Sequence, residues 1–349
     1  MKTSDLTSYN KAGFDGDKYI EMQKNAILDR ISKFKHRLYL EIGGKFLYDP
    51  HASRVLPGFF ADSKKQIFSS FKDKAEIIFC INARDLKNNR QLSSEDIDYV
   101  DYCLNMISDI EKEVGIKPKI SINRVSDENK DISLNFKNKL LENGYISALR
   151  YEIIGYPSNT KNVLSSSGYG NDEYIKVEKD LVLVTGAASS SGKMSTCLGQ
   201  IYHEQKVGQD SGYAKYETFP IWNLPLNHPV NLAYEAATAD IGDYNTMDMY
   251  HEKAYSMKSV NYNRDVEAFE IVSKLAQDFL PETNYTRSYK SPTDMGINKA
   301  GFCIINDEIV KQASISEIDR RYNWYKEIIT RGDGDMIWLE RCDKIKERL

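Results

Sequence analysis

Apolar residues fall along this chain in two alternating rhythms. Residues 17–36 place Ile20, Met22, Ile27, Ile31 and Phe34 near helical spacing, which predicts an amphipathic helix. Residues 38–42 (LYLEI) then predict a short strand, closed by Gly43 and Gly44. A helix carrying Phe68 and Phe71 leads into a second apolar strand at 77–81. Residues 94–114 predict another helix, capped by Ser93 or Ser94 and stopped at Gly115. A third strand at 119–122 and a helix over 135–142, ending at Asn143 and Gly144, complete the series. Short strands alternating with helices predict a parallel sheet covered by helices.

The stretch 155–176 is rich in Gly, Ser and Asn and reads as the crossing into a second unit. That unit opens with a buried-type strand at 180–185 and continues through a helix to residues 211–216. A helix over 265–280 stops before Pro281, residues 302–312 read as a strand or turn, and 315–330 as a helix. A last helix follows the turn 332–335. The predicted fold class is α/β, with two Rossmann-like three-layer units, 1–160 and 175–312. The second is P-loop-like, and a helical segment, 313–349, follows it.

Composition narrows the function classes. A length of 349 residues suits about two domains. A formal net charge of −4 lacks the basic footprint of a nucleic-acid binder. No run approaches the roughly 18 consecutive apolar residues of a membrane span, and the first residues hold no apolar core of signal-peptide type. Cys80, Cys103, Cys197, Cys303 and Cys342 are scattered and never spaced as CxxC, which argues against a disulfide framework or a zinc site. The expectation is a cytoplasmic protein with reduced thiols and with neither a nucleic-acid nor a membrane partner. Its aromatic and Met content would allow a homo-oligomer.

The chemistry concentrates in residues 182–196 (VLVTGAASSSGKMST). A β-branched run supplies a strand, and a small-residue loop lets backbone amides close around an anion. Lys193 then starts a helix whose positive end faces the same point. This arrangement predicts phosphate binding by Gly186, Ser190, Ser191, Gly192, Lys193, Ser195 and Thr196, with Lys193 neutralising the outer phosphates. It departs from the simplest Walker pattern twice. Five residues separate Gly186 from Gly192, and Met194 stands where a magnesium-binding Ser or Thr is usual. The longer spacing resembles dethiobiotin synthetase, a P-loop protein in which a substrate-facing Lys follows on the next strand; Lys215 falls at a comparable place. The bland alternative is a Ser-rich turn with a solvated Lys.

Several long motifs together resemble the bacterial domain-of-unknown-function family 1846. They are residues 38–45 (LYLEIGGK), 51–58 (HASRVLPG), 75–82 (AEIIFCIN), 191–200 (SGKMSTCLGQ), 213–240, 260–265 (VNYNRD) and 290–298 (KSPTDMGIN). The resemblance runs from about residue 13 to about 325. It implies family membership and carries no reaction with it. Members of that family typically read GPGSGK in the loop, where this chain has ASSSGK over 188–193.

Around the loop, other residues offer site chemistry. The rigid segment 219–229 (FPIWNLPLNHP) carries His228, a candidate acid or base, or alternatively a structural hydrogen-bonding group. Asp240 and Glu217 are candidate magnesium ligands, with Asp240 also a candidate catalytic group; a solvated carboxylate is the alternative. His51, Arg54, Lys215, Glu217, Asn263, Arg264 and Asp294 are the candidate substrate-binding residues, equally readable as scaffold. Together these predict an ATP- or GTP-dependent enzyme, with Mg²⁺, acting on a small anionic metabolite. The expected second-substrate cleft is lined by segments 51–58, 217–229, 261–265 and 290–298. A non-catalytic sensor or sequestering protein for a phosphorylated ligand is the alternative, and an enzyme that merely holds a substrate phosphate is a third.

Overall fold

The computed structural model describes residues 11–90 and 97–349. The first ten residues and the proposed helix caps Ser93 and Ser94 lie outside the described residues. The helix over that region runs Tyr99–Val114, capped by Asp98, whose side chain accepts from the Asp101 amide. It stops at Gly115, where φ is +77°, a conformation open to glycine.

Nine strands are described: β1 (Leu38–Ile42), β2 (Ala75–Asn82), β3 (Lys119–Val125), β4 (Ser147–Tyr151), β5 (Leu181–Gly186), β6 (Gly212–Tyr216), β7 (Asn245–Met247), β8 (Val260–Tyr262) and β9 (Gly296–Ile297). Seven of them form one sheet in the order β4-β3-β2-β5-β1-β6-β9, with every pairing parallel. β7 and β8 make a separate antiparallel pair.

The α/β class holds, with helices on both faces of the sheet. The two predicted halves nevertheless share this single sheet, because β5 inserts between β1 and β2. The reason is burial. β5 and β1 carry apolar side chains on both faces and are buried along their length, so each needs a hydrogen-bonded neighbour on either side and a helix layer above and below. Leu38, Leu40, Leu181 and Leu183 point into one core, packed by helices Gly16–Ser32, Ser63–Ser69, Tyr99–Val114 and Lys130–Glu142. Tyr39, Val182 and Val184 point into the other, packed by helices Lys193–Lys206 and Asn263–Phe279.

Two further differences concern the ends of the chain. Residues 302–312 do not form a strand; helix Asp307–Thr330 starts there, capped by Asn306, whose side chain accepts from the Ile309 amide. That helix packs on helices Pro50–Val55 and Pro229–Ala237, and its Val310 and Ile318 belong to the main core. It is therefore part of the central packing. Strands β4 and β9 escaped the sequence reading because β9 is two residues long and β4 (SALRY) is interrupted by Arg150.

Candidate functional site

The connection leaving β2 runs to β3 on one side, while the connection leaving β5 runs over β1 to β6 on the other. Between β2 and β5 the chain reversal opens a crevice at the carboxyl ends of the strands, where ligands bind in open α/β sheets. The loop after β5 lies there.

Its backbone is held from below. Asn82, the last residue of β2, and Asn123, two residues before the end of β3, pair across the sheet. The Asn82 amide donates to the Ser190 carbonyl (3.3 Å) and the Asn123 amide to the Ser191 carbonyl (2.8 Å). Each peptide unit is planar and trans, so its N–H points opposite its carbonyl. Drawing those two carbonyls toward the sheet turns the Ser191 and Gly192 amides the other way. Among the described residues, no backbone N–H from 188 to 195 makes a close, well-aligned hydrogen bond to a protein acceptor, although residues 189–190 form a turn. Gly192, with φ +89°, is the N-cap of helix Lys193–Lys206 and supplies no side-chain cap. Ser190 takes φ +61° without being glycine, a cost of roughly 1–2 kcal/mol. Gly186 is required for close approach, since a Cβ there would meet Ser191 Oγ at 2.2 Å. That Ser191 hydroxyl is buried with no hydrogen-bond partner. Lys193 is half-buried, and no carboxylate lies within ion-pair distance of it among the described residues. The loop is thus a concave array of donors with a cation at its mouth.

The hydroxyls after the Lys face elsewhere. Thr196 is buried and donates to Asn123 Oδ1 at 3.1 Å, with Ser121 Oγ at 3.3 Å and Cys80 Sγ at 3.4 Å. Ser195 faces the Tyr156 and Tyr169 phenols, and Met194 packs against the core.

Two strands away lies a buried charge cluster. Lys215 Nζ donates to both Asp265 oxygens at 2.6 Å and pairs with Glu217 at 2.8 Å. Glu41, opposite Lys215 on β1, accepts from Tyr213 OH at 2.6 Å. Burial opposes the Lys215 charge, but Asp265, Glu217 and Glu41 outweigh it and keep the ammonium protonated well above its usual range. Burial raises the Glu217 and Asp265 carboxyls, with Lys215 opposing. Gly43 makes room for Glu217: a Cβ there would lie 2.4 Å from Glu217 Oε2. Glu41 is opposite Val184 on β5, so the cluster borders the loop on the face of helix Lys193–Lys206.

The remaining predicted residues are engaged elsewhere. His228 is the N-cap of helix Pro229–Ala237: Nδ1 accepts from the Val230 amide at 3.2 Å and Nε2 meets Asp307 at 2.9 Å. Both ring nitrogens are engaged within the fold. Asp240 accepts from Tyr325 OH at 3.2 Å beside the C-terminal helix. His51 and Arg54 converge on Glu317, at 3.3 and 2.8 Å, and do not line the loop. Asn263 accepts from the Tyr244 amide at 3.2 Å, and Arg264 pairs with Asp243 at 2.7 Å. Asp294 accepts from Tyr255 OH at 2.7 Å. It lines a cleft of about 700 Å³ with Arg30, Trp222, Tyr285 and Tyr289, at the β9 edge of the sheet. Segments 51–58 and 261–265 take no part in that cleft. Among the described residues, no group of three His, Cys, Asp or Glu is placed to hold a metal ion, and no helix is long and apolar enough to cross a membrane.

Sequence reasoning missed Glu41, Asn82 and Asn123. The signal was present: a Glu inside the apolar run LYLEI, and an Ile-Asn pair toward the carboxyl end of two β-strands. A polar residue at the carboxyl end of a parallel strand faces the ligand side of the sheet.

The fold and the loop define a class: open, parallel, Rossmann-like α/β proteins with a strand–loop–Lys–helix unit at the switch point of the sheet. Within that class the chain belongs to the family described as "Domain of unknown function DUF1846, N-terminal", whose profile matches residues 12–348. It is 43% identical over 312 residues to a UPF0371 protein of Streptococcus thermophilus, covering 89% of this chain and 62% of that one. It is 45% identical over 314 residues to the UPF0371 protein DIP2346 of Corynebacterium diphtheriae, covering 90% and 62%. A UPF0371 protein of Streptococcus pyogenes, SpyM50764, is 43% identical over 309 residues, covering 88% and 61%. The chain therefore spans less than two thirds of the length of these relatives.

Proposed function

We propose that residues 186–193 and the start of helix Lys193–Lys206 bind the phosphate of a small phosphorylated ligand. The observation that carries this reading is the run of amides over 188–195 without close protein acceptors, turned into the loop by Asn82 and Asn123. A terminal phosphate offers acceptors to these N–H groups, to the Ser191 hydroxyl and to Lys193 at once, and the helix end adds its positive dipole. ATP and GTP are the first ligands to test, and the reaction class would be phosphoryl transfer or ligation on a small anionic metabolite. Lys215, Asp265, Glu217 and Glu41 border the loop and form the polar surface that such a metabolite would meet. A non-catalytic sensor of the same ligand is the second reading, favoured by Met194 in the hydroxyl position.

The test is a thermal-shift panel of nucleotides and sugar phosphates on the wild type and on Lys193→Ala. At ligand concentrations about a hundred times Kd, mass action stabilises the fold by about 2.7 kcal/mol. A shift present in wild type and abolished in Lys193→Ala supports the reading, and turnover of the bound nucleotide separates enzyme from sensor. The reading fails if no phosphorylated compound stabilises the wild type.

A further inference from the structure

The P-loop resemblance implies a magnesium ion bridging loop and phosphate, and the donor set here does not fit one. Hard divalent cations of this size take oxygen ligands in near-octahedral geometry. The residue after Lys193 is Met194, whose thioether is a poor partner for such an ion and which packs into the core. Ser195 faces the two tyrosine phenols. Thr196 is buried and spends its proton on Asn123.

The carboxylates are no better placed. Asp265 and Glu217 are tied to Lys215, Glu41 to Tyr213, and Asp240 to Tyr325. The crevice floor is made of the neutral amides Asn82 and Asn123, both aimed at loop carbonyls. What the loop offers is donors and positive charge: amides without close protein acceptors, the buried, unpartnered Ser191 hydroxyl against Gly186, and Lys193.

Resting on the phosphate-binding reading above, we propose that this loop takes the phosphate directly, as the dianion of a phosphomonoester or of a terminal phosphate group, without a bridging divalent cation. Lys193, the Ser191 hydroxyl and the loop amides supply the neutralisation that magnesium supplies elsewhere. A compact dianion carries three acceptor oxygens, which suits a single cradle of amides better than an extended metal-bound triphosphate.

The experiment is calorimetric titration of the purified chain with inorganic phosphate and with ATP, in EDTA and again in excess Mg²⁺, with Lys193→Ala as the site control. Phosphate affinity in EDTA within about twofold of that in Mg²⁺, and lost in Lys193→Ala, is the expected result. Tightening of about tenfold or more on adding Mg²⁺, about 1.4 kcal/mol, would overturn metal-free capture while leaving phosphate binding at the loop intact. No titratable phosphate or ATP under either condition, or binding unchanged in a folded Lys193→Ala protein, would overturn both the inference and the reading beneath it.

Discussion

Glu317 is the most heavily paired carboxylate described, and replacing it tests how the C-terminal helix is held. It is buried, and accepts from Arg54 Nε at 2.8 Å, Arg320 Nη2 at 2.7 Å, His51 Nδ1 at 3.3 Å and Arg321 Nε at 3.3 Å. Arg320 and Arg321 lie on the same helix, with side chains 42% and 18% exposed, so solvent screens much of their share. Arg54 is different: its side chain is 9% exposed and comes from helix Pro50–Val55. In Glu317→Gln the guanidinium stays buried and loses its ion pair with the Glu317 carboxylate. Breaking one side of a buried pair costs about 3–5 kcal/mol, and the lower end applies because Gln still offers one acceptor. With roughly 0.7 kcal/mol/K of unfolding entropy for a chain of this size, 3 kcal/mol lowers Tm by about 4 °C.

The pH dependence has a defined sign. Burial opposes ionisation of Glu317, but hydrogen bonds from Arg320 and His51 and the charge of Arg54 outweigh it and hold the carboxyl below its ordinary value near 4.5. A depressed carboxyl stabilises the fold above that value, and the contribution is lost as pH falls beneath it. The gap between wild type and Glu317→Gln in urea midpoint should therefore be full near neutrality and shrink in acid. Glu308→Gln, on the exposed side of the same helix, should change stability by no more than about 0.5 kcal/mol. A Glu317→Gln cost below about 1 kcal/mol at neutral pH would refute the clamp.

Three other outcomes are expected. Gly192→Ala forces an L side chain to φ +89° and puts a Cβ 2.9 Å from the Asn123 side chain; a loss of about 1–2 kcal/mol with abolished phosphate binding should follow, and a variant that binds phosphate like wild type would contradict the loop geometry. Lys215→Met strands Asp265 and Glu217 as buried carboxylates and should cost about 3–5 kcal/mol near neutrality, less in acid where those carboxyls protonate; equal urea midpoints at neutral pH would show that the cluster carries no such pairing. The wild-type ammonium, raised by its partners, contributes its full stability below the unfolded value of 10.5 and loses that contribution as pH rises from there through its raised folded value. The cysteines are free and buried, and burial pushes the Cys80, Cys303 and Cys342 thiols up to about 11. Native protein should therefore resist Ellman's reagent until denaturant is added; fast labelling without denaturant would place a thiol at the surface.

The sequence alone determined the local pieces. Apolar runs with β-branched and aromatic residues specify β1, β2, β3 and β5, because a strand buried on both faces needs no partner to declare itself. The Gly186–Lys193 spacing located the loop, since its requirements for small residues, positive φ and a helix start are all local. Tertiary structure decided what those pieces assemble into. That β5 sits between β1 and β2 depends on pairings more than a hundred residues apart, which no periodicity encodes. The same long-range packing gave His51 and Arg54 to Glu317, His228 to a helix cap, and Asp240 to Tyr325. These residues have the chemistry of a site, and a buried polar group takes the nearest partner the fold supplies. It also brought Asn82 and Asn123, which lie on two different strands, beneath the loop, where they aim its amides. Residue chemistry is written in the chain, but the direction in which a polar group points is set by what packs against it.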